Sequence, residues 1–234
     1  MHSDVVRVSP WKTHVHRPGV VEILVERTGM NSPDGSHGSP RRLLLVRHGP
    51  TAENVAGRFL GRTDAPVTEA ARVEAAALRP LVPFADLVVT SPARRAVETA
   101  ELLGLRAPLV EPAFREIDFG DWEGLTQDEV AERDPTRFAA FEAGDIEGFP
   151  GGETVAAVAQ RTVDAVERHR SSTVLVVTHA TVIRILVAAL LDLPVSRYRS
   201  HHPRPTNLSV TSLERQHGLW RLESYASTMH GSDR

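Results

Sequence analysis

The clearest structural signal in the sequence is Leu43-Leu44-Leu45-Val46-Arg47-His48-Gly49. Its first four residues form an apolar run without alternation, which is typical of a strand buried on both faces of a sheet. Two further runs of this kind occur downstream, over residues 87–89 and 173–177. Each run leads directly into polar residues, so the sequence predicts three buried strands that end in chemically useful side chains.

Helical patterns alternate with these strands. An alanine-rich helix is predicted from a Thr68 cap to just before Pro80, and a second from Ser91-Pro92 through Leu103, with proline at its first position. The remaining predictions are amphipathic helix 153–169, apolar helix 182–191 and a terminal strand pair over 208–213 and 219–223. Alternating strands and helices imply an α/β fold. We expect a three-layer α/β/α sandwich with a mainly parallel central sheet and a small helical or loop cap over the site.

The first 40 residues differ from the rest of the chain. One short strand is predicted over residues 20–25, but residues 31–40 are rich in Asn, Ser, Pro, Asp and Gly and can bury little apolar surface. We interpret 1–40 as a poorly ordered extension, or as an upstream translation start with the working start at Met30. The predicted domain organisation is therefore an extension, 1–40, and a catalytic domain, 41–234.

Composition excludes several classes of function. The 234 residues carry a net charge of −3, which offers no electrostatic footprint for nucleic acid or an anionic membrane. The chain contains no cysteine, so thiol nucleophiles and cysteine-ligated zinc are excluded. No apolar stretch is long enough for a membrane span, and no secretory signal is recognisable, so the cytoplasm is the expected location.

Polar side chains collect at one predicted edge of the sheet. Ligands of open α/β sheets bind beyond the carboxyl ends of the strands. The first strand leads into His48 and the third into His179, while the helix after Ser91 carries Arg94 and Arg95 in its first turn. A helix N-terminus beside arginines favours negative charge. The sequence therefore predicts an oxyanion site that contains two histidines.

This set of side chains suits phosphoryl transfer. Catalysis of that reaction rests on positioning and charge stabilisation, and arginine donates bidentate hydrogen bonds to phosphate. A neutral imidazole can attack phosphorus, and a carboxylic acid with a raised pKa can protonate the leaving oxygen. Four acidic residues of one segment are candidates for that acid: Glu116, Asp118, Asp121 and Glu123.

Four segments, in order, carry a family resemblance. They begin with Leu45-Val46-Arg47-His48-Gly49-Pro50-Thr51, continued by Asn54 and Arg58-Phe59-Leu60-Gly61, and then comprise Ser91–Thr99, Arg115–Gly124 and Val177–Ala180. Together they resemble the signature of the histidine phosphatase (phosphoglycerate mutase-like) superfamily over residues 41–225. The segment 118–124 is similar to that of the alpha-ribazole phosphatase and broad-specificity phosphatase branch.

The resemblance implies a role for each site residue. His48 would accept the phosphoryl group, Glu116 would protonate the leaving group, and Arg47, Arg95 and His179 would form the phosphate pocket. Asn54, Arg58 and Thr51 would bind phosphate or substrate. The resemblance implies no metal and no cofactor, and it allows a homodimer. One departure is Ala71, where the family usually has glycine at a packing position.

Several residues have competing interpretations. Glu123 is the main competitor of Glu116 as the acid. Glu153 is predicted in the first turn of its helix, although a Gly-Gly-Glu segment of this kind lies near the substrate entrance in phosphatase-type relatives, which would give Glu153 a binding role. Arg94, His201 and His202 are expected to face solvent, and Trp122 to serve packing.

The same pocket would support more than one activity. The predicted function is metal-independent hydrolysis of a phosphomonoester of a small metabolite, through phosphohistidine. A phosphoglycerate mutase would carry a long insertion after the acid segment, whereas residues 124–151 form only a short interval. A catalytically silent phospho-ligand binder and a phosphohistidine-protein phosphatase are further alternatives. The pocket walls are expected to come from segment 125–152 and loop 195–206, and neither carries a motif that identifies the leaving group.

Overall fold

The computed structural model describes residues 11–15, 21–25 and 40–229. The chain divides into two units, Met1–His37 and Gly38–Arg234. In the first unit, strands β1 (Trp11–Val15) and β2 (Val21–Val25) pair antiparallel. The second of these strands was predicted from the sequence and the first was not. The proposed character of residues 1–40 stays a prediction.

The second unit is built on a six-stranded sheet in the order β5-β4-β6-β3-β7-β8. The strands are β3 (Arg42–Arg47), β4 (Leu87–Thr90), β5 (Leu109–Val110), β6 (Thr173–Thr178), β7 (Val210–Gln216) and β8 (Leu219–Ser227). The first four strands in spatial order are mutually parallel, and β7 and β8 are antiparallel. The predicted mainly parallel sheet is therefore confirmed, with an antiparallel hairpin at one edge.

The helices follow the strands in the predicted alternation. They are α1 (Ala52–Val55), α2 (Glu69–Leu78), α3 (Arg94–Leu102), α4 (Gln127–Arg133), α5 (Pro135–Glu142), α6 (Val155–Arg168), α7 (Ala180–Leu190) and α8 (Tyr198–His201). Short 3₁₀ turns lie at Arg79–Leu81, Pro112–Phe114, Gly120–Trp122 and Val195–Arg197.

Side chains of the buried strands alternate between two cores. On one face, Leu43 and Leu45 of β3 pack in a cluster with residues of α6 and α7. On the other face, Leu44 and Val46 pack with residues of α2 and α3. Because successive side chains of a strand point to opposite faces, one apolar run supplies both cores. The three-layer sandwich predicted from the sequence is confirmed.

An aromatic cluster joins α5, which belongs to the cap over the site, to the sandwich. Its members are Phe59, Phe119, Trp122, Phe138, Phe141 and Phe149. Phe119 and Phe149 meet edge to face with ring centroids 4.8 Å apart, and Trp122 is 2% exposed. Edge-to-face pairs add stabilisation beyond the area they bury. The cluster anchors α5 beside the loop that carries Trp122, which packs as expected.

Two helices begin later than the sequence predicts. Helix α3 starts at Arg94 rather than at Ser91-Pro92, because the Ala93 N–H donates to Ser91 Oγ and the Arg94 N–H donates to Asp64 Oδ1. Helix α6 starts at Val155 with Thr154 as its N-cap, so Glu153 precedes the helix instead of lying in its first turn.

The buried strand β3 gives a test of this architecture. Leu45 is 0% exposed, so Leu45→Ala should lower the free energy of unfolding by about 2–5 kcal/mol, through lost burial and a residual cavity. Leu219 is 56% exposed, and Leu219→Ala should change it by less than about 0.5 kcal/mol. Urea denaturation of both variants measures the difference, and equal losses would contradict the assignment of β3 to the core.

Candidate active site

The sheet register brings two histidines together. Strands β3 and β6 run parallel, with Arg47 opposite Thr178 as the last pair, so His48 and His179 leave the same edge side by side. Their ring centroids are 5.1 Å apart, and the two side chains are 3% and 0% exposed. The structure thus places both histidines at one edge, as the strand pattern predicted.

His48 is held in a defined tautomer. Its Nδ1 lies 2.7 Å from the Gly49 carbonyl oxygen, which can only accept, so Nδ1 carries the proton and Nε2 keeps its lone pair. Burial, and then the charges of Arg95 and Arg47, hold the pKa of His48 well below its usual 6.5. With this pKa and this tautomer, His48 is a neutral imidazole whose Nε2 lone pair is available to act as a nucleophile. The ring lines a cleft.

His179 is oriented from both sides of its ring. Arg95 Nε donates to Nδ1 over 3.2 Å, so Nε2 carries the proton and donates to Ser91 Oγ over 2.7 Å. Burial, followed by the charges of Arg95 and His48, lowers its pKa well below 6.5. Both site histidines are consequently neutral near neutral pH.

Arg95 lies behind the histidines rather than in the cleft wall. It is 0% exposed, and its guanidinium donates to the carbonyl oxygens of Leu60, Gly61 and Thr63 as well as to His179. These contacts fix the side chain without neutralising it, since no carboxylate within residues 40–229 forms an ion pair with it. Arg95 therefore supplies buried positive charge next to His179.

Arg47 contributes a second buried guanidinium. Its Nη1 donates to the Pro205 carbonyl oxygen over 2.6 Å, and its buried Nε has no hydrogen-bond partner among the described residues. Burial, followed by the charge of Arg204, lowers its pKa to about 9, so the group stays charged at neutral pH. A buried donor without a partner is costly, and an anion in the cleft would satisfy it.

Glu116 is the acidic residue that shares the cleft with His48. It is 5% exposed, and its carboxylate accepts from the Ile117 N–H (2.9 Å) and the Thr181 N–H (3.2 Å) at the start of α7. Burial raises the pKa of Glu116, although these hydrogen bonds and Arg95 oppose the shift. A carboxyl group of this kind can hold a proton above the usual pH range.

Its competitor Glu123 has another task. Both of its oxygens accept from the Gly61 N–H, and Oε1 also accepts from the Thr63 N–H, at 3.0 Å. Glu123 does not line the cleft. It fixes the loop whose carbonyl groups hold Arg95, so of the two competing carboxyl groups only Glu116 shares the cleft with His48.

The residues after His48 divide into two groups. Asn54 and Arg58 line the cleft, and Arg58 donates to the Gly124 carbonyl oxygen and pairs with Glu129 at 3.0 Å. Thr51 does not line it, being fully buried as the N-cap of α1, where its Oγ accepts from the Asn54 N–H. Thr51 therefore orders the helix that carries Asn54.

Glu153 lies outside the cleft. Its carboxylate accepts from Arg161 Nε over 2.7 Å and from the Asp118 N–H over 3.3 Å. The structure therefore engages Glu153 in a partly buried ion pair beside the acid segment, and a direct binding role stays a prediction.

Arg94 and His201 face solvent as expected, and Arg94 pairs with Glu98. The prediction for His202 is wrong, because its ring stacks on the Tyr225 ring with centroids 4.9 Å apart and the residue is 8% exposed.

The cleft encloses about 70 Å³. Its second wall draws largely on the two segments, 125–152 and 195–206, that the sequence predicted as pocket walls, and the contribution of α7 was not predicted. The residues of this wall come from the cap and from the segment after α6: Phe119, Gln127, Phe141, Ala180, Arg184, Tyr198, Arg199 and Arg204. One signal was available, since Arg184 interrupts an apolar helix. The other arginines lie in a segment without a recognisable motif.

In the described parts of the chain, no group of three or more His, Asp or Glu side chains is placed to hold a metal ion. Across the same residues, no helix combines the length and apolar character that a bilayer crossing requires.

Comparison with known proteins places the chain among phosphatases. The model of the histidine phosphatase superfamily (branch 1) matches residues 43–228. A relative named acid phosphatase, from Mycobacterium tuberculosis, is 34% identical over 198 residues, which cover 81% of this chain and 94% of the relative. Phosphoserine phosphatase 1 from Hydrogenobacter thermophilus is 32% identical over 190 residues, covering 76% of this chain and 89% of the relative.

A solved structure supports the same conclusion about the fold. The alpha-ribazole phosphatase from Shigella flexneri has a TM-score of 0.70 against this chain at 27% identity. The match covers 82% of this chain and 100% of that structure. The predicted likeness to the alpha-ribazole phosphatase branch is confirmed at the level of family and fold.

The hydrogen bonds of His48 predict its state in solution. Nitrogen-15 NMR of histidine-labelled protein should show a neutral ring protonated on Nδ1 at pH 6.5, the usual histidine pKa, because burial and two arginines disfavour the imidazolium. The His48→Ala variant assigns the signal by its disappearance. An imidazolium signal for His48 at that pH would contradict the described electrostatics.

Proposed function

The chain belongs to the histidine phosphatase superfamily (branch 1), and on that premise we propose that it hydrolyses phosphate monoesters through a phosphohistidine formed at His48. The observation that carries the proposal is the state of His48. Its Nδ1–H donates to the Gly49 carbonyl oxygen, which leaves Nε2 unprotonated in a cleft shared with Glu116. A neutral His48 and a carboxyl group with a raised pKa support their proposed roles as nucleophile and acid in the first chemical step.

In the first step, His48 Nε2 attacks phosphorus as the bond from phosphorus to the ester oxygen breaks. Glu116 enters this step as a carboxylic acid and gives its proton to the departing alcohol oxygen. Arg47 supplies charge and an unpartnered N–H to the phosphoryl oxygens, and Arg95 and His179 supply a fixed electrostatic environment behind them. The products are free alcohol and phosphohistidine.

In the second step, water attacks the phosphohistidine. Glu116, now a carboxylate, accepts a proton from that water, and the bond between phosphorus and Nε2 breaks to release inorganic phosphate and neutral His48. The charge on the phosphoryl group is met throughout by arginines, so the proposed mechanism requires no metal ion.

Hydrolysis is proposed in preference to phosphoryl relocation. The interval between Gly124 and Gly151 holds only the short helices α4 and α5, and the cleft remains connected to solvent, so water can reach the phosphohistidine. Relatives named acid phosphatase and phosphoserine phosphatase also support hydrolysis of a small phosphorylated metabolite. The presence of nucleophile and acid argues against a silent phospho-ligand binder.

The decisive experiment measures phosphate release from a panel of phosphomonoesters in EDTA. The parent protein should remain active, whereas His48→Ala should lose activity by at least the order of 10³-fold, because the nucleophile is gone. His217, exposed in the hairpin turn between β7 and β8, provides a matched control, and His217→Asn should retain full activity. Release that EDTA abolishes, or that survives in His48→Ala, would overturn the proposal.

The role of Glu116 is tested by the leaving group. Glu116→Gln should reduce kcat/KM for an alkyl phosphate by about 10²- to 10⁴-fold, since alkoxide departs poorly without a proton. The loss should be smaller for p-nitrophenyl phosphate, whose phenolate needs no proton. The parent's alkaline limb, set by the raised pKa of Glu116, should disappear in the variant. Equal losses on both substrates would exclude Glu116 as the acid.

A further inference from the structure

The second wall of the cleft carries three arginines that the proposed reaction does not use. They are Arg184 of α7, Arg199 of α8 and Arg204 in the loop that follows. We propose that Arg199 and Arg204, supported by Arg184, form a second anion-binding site that takes a carboxylate on the alcohol part of the substrate. This inference rests on the proposed function, since it names the class of phosphomonoester that the site accepts.

The three arginines form a cluster of positive charge, and Glu142, which acts electrostatically on Arg199, does not form an ion pair with it. Within residues 40–229, none of them forms an ion pair with an aspartate or glutamate. Burial lowers the pKa of Arg184 and of Arg199, and the charge of Arg204 adds to both shifts. Like charges placed together in a partly buried wall repel one another, and a bound anion would relieve that repulsion.

Arg184 has the contacts of a supporting residue. It is 7% exposed, and its guanidinium donates to the carbonyl oxygens of His202 (3.0 Å) and Arg199 (3.1 Å). It also lies 5.1 Å from the centre of the Tyr198 ring. Arg184 therefore fixes the backbone of the segment that carries the other two arginines and adds its charge to the wall.

Arg199 and Arg204 have donors available for a ligand. The Arg199 guanidinium lies 3.6 Å above the Phe141 ring, which leaves its N–H groups unused, and its buried Nε has no partner among the described residues. Arg204 is exposed, and no described hydrogen bond or ion pair engages its side chain. A planar guanidinium matches a carboxylate through two parallel hydrogen bonds.

The second site lies next to the reaction centre. The Thr181 N–H holds Glu116, and Arg184 follows Thr181 by three residues on the same face of α7, where both line the cleft. The charge of Arg204 also lowers the pKa of both Arg47 and His48. The alcohol part of the substrate leaves beside Glu116. A substituent of that alcohol, only a few bonds from phosphorus, would therefore contact this wall.

Matched substrates isolate the carboxylate. 3-Phosphoglycerate and glycerol 3-phosphate differ only in carrying a carboxylate or a hydroxymethyl group, and O-phosphoserine differs from O-phosphoethanolamine by its carboxylate alone. We expect the parent protein to favour the carboxylate member of each pair by about tenfold or more in kcat/KM, as a charge-assisted hydrogen bond allows. Equal efficiency within both pairs would overturn the second site.

Variants connect that preference to the wall. Arg204→Gln should reduce the preference severalfold, because KM should rise more for the carboxylate substrates than for glycerol 3-phosphate. Arg199→Gln should act in the same way, and Arg199→Lys should recover part of the preference because it restores the charge. Arg197→Gln is the matched control, since Arg197 is exposed in the same segment but does not line the cleft. An unchanged preference in both glutamine variants would also overturn the site.

The two proposals fail in different ways. If the parent hydrolyses both members of each pair equally, the second site is wrong and the phosphatase function stands. If the parent hydrolyses nothing and forms no phosphohistidine, the phosphatase function is wrong. Calorimetric binding of 3-phosphoglycerate and glycerol 3-phosphate to the parent and to Arg204→Gln then tests the second site by itself. A preference for 3-phosphoglycerate in the parent that is reduced in the variant supports the site. Equal affinities in the parent, or an undiminished preference in the variant, overturn it.

Discussion

The parallel pairing of β3 with β6 is the constraint on which the rest of the site depends. Its register places Arg47 opposite Thr178, and the next residue on each strand is a histidine. Because the sheet buries both strands on both faces, these histidines emerge in a buried region, where they are 3% and 0% exposed. Arg95 then fixes His179, and Glu123 fixes the loop whose carbonyl groups hold Arg95. A slip of this register by one residue would dismantle the whole chain of contacts.

The fold was largely predictable because its signal is local. Apolar runs such as 43–46 report burial on both faces directly, and the alternation with helices then determines the layers. The start of α3 was not predictable, since the group that receives the Arg94 N–H belongs to Asp64, thirty positions earlier in the chain. The position of Glu153 was missed for a related reason, because its partner Arg161 becomes a neighbour only once α6 has formed.

The site was predictable where its residues fall in motifs and unpredictable where folding assembles them. His48, Arg47 and His179 follow buried strands, so the sequence alone places them at one edge. Choosing Glu116 over Glu123 required positions, since both lie in one short segment with similar surroundings in sequence. The second wall was predictable as to its segments, 125–152 and 195–206, but not as to its chemistry, because α7, α8 and the following loop carry its arginines separately. Only the folded structure brings these arginines to one surface, where none of them forms an ion pair with a carboxylate of the described residues.

Burial shifts the pKa values of His48 and Glu116 in opposite directions. This opposition suits a cleft in which His48 is the proposed nucleophile and Glu116 the proposed acid. Removal from water disfavours any charged form, so it lowers the pKa of His48 and raises that of Glu116. The histidine therefore stays neutral to a lower pH, and the carboxyl group keeps its proton to a higher pH, than either group would in water. The arginines sharpen the first effect and weaken the second, since positive charge disfavours imidazolium and favours carboxylate. Desolvation of Glu116, which is 5% exposed, must therefore outweigh the charge of Arg95 and the hydrogen bonds from the Ile117 and Thr181 N–H groups.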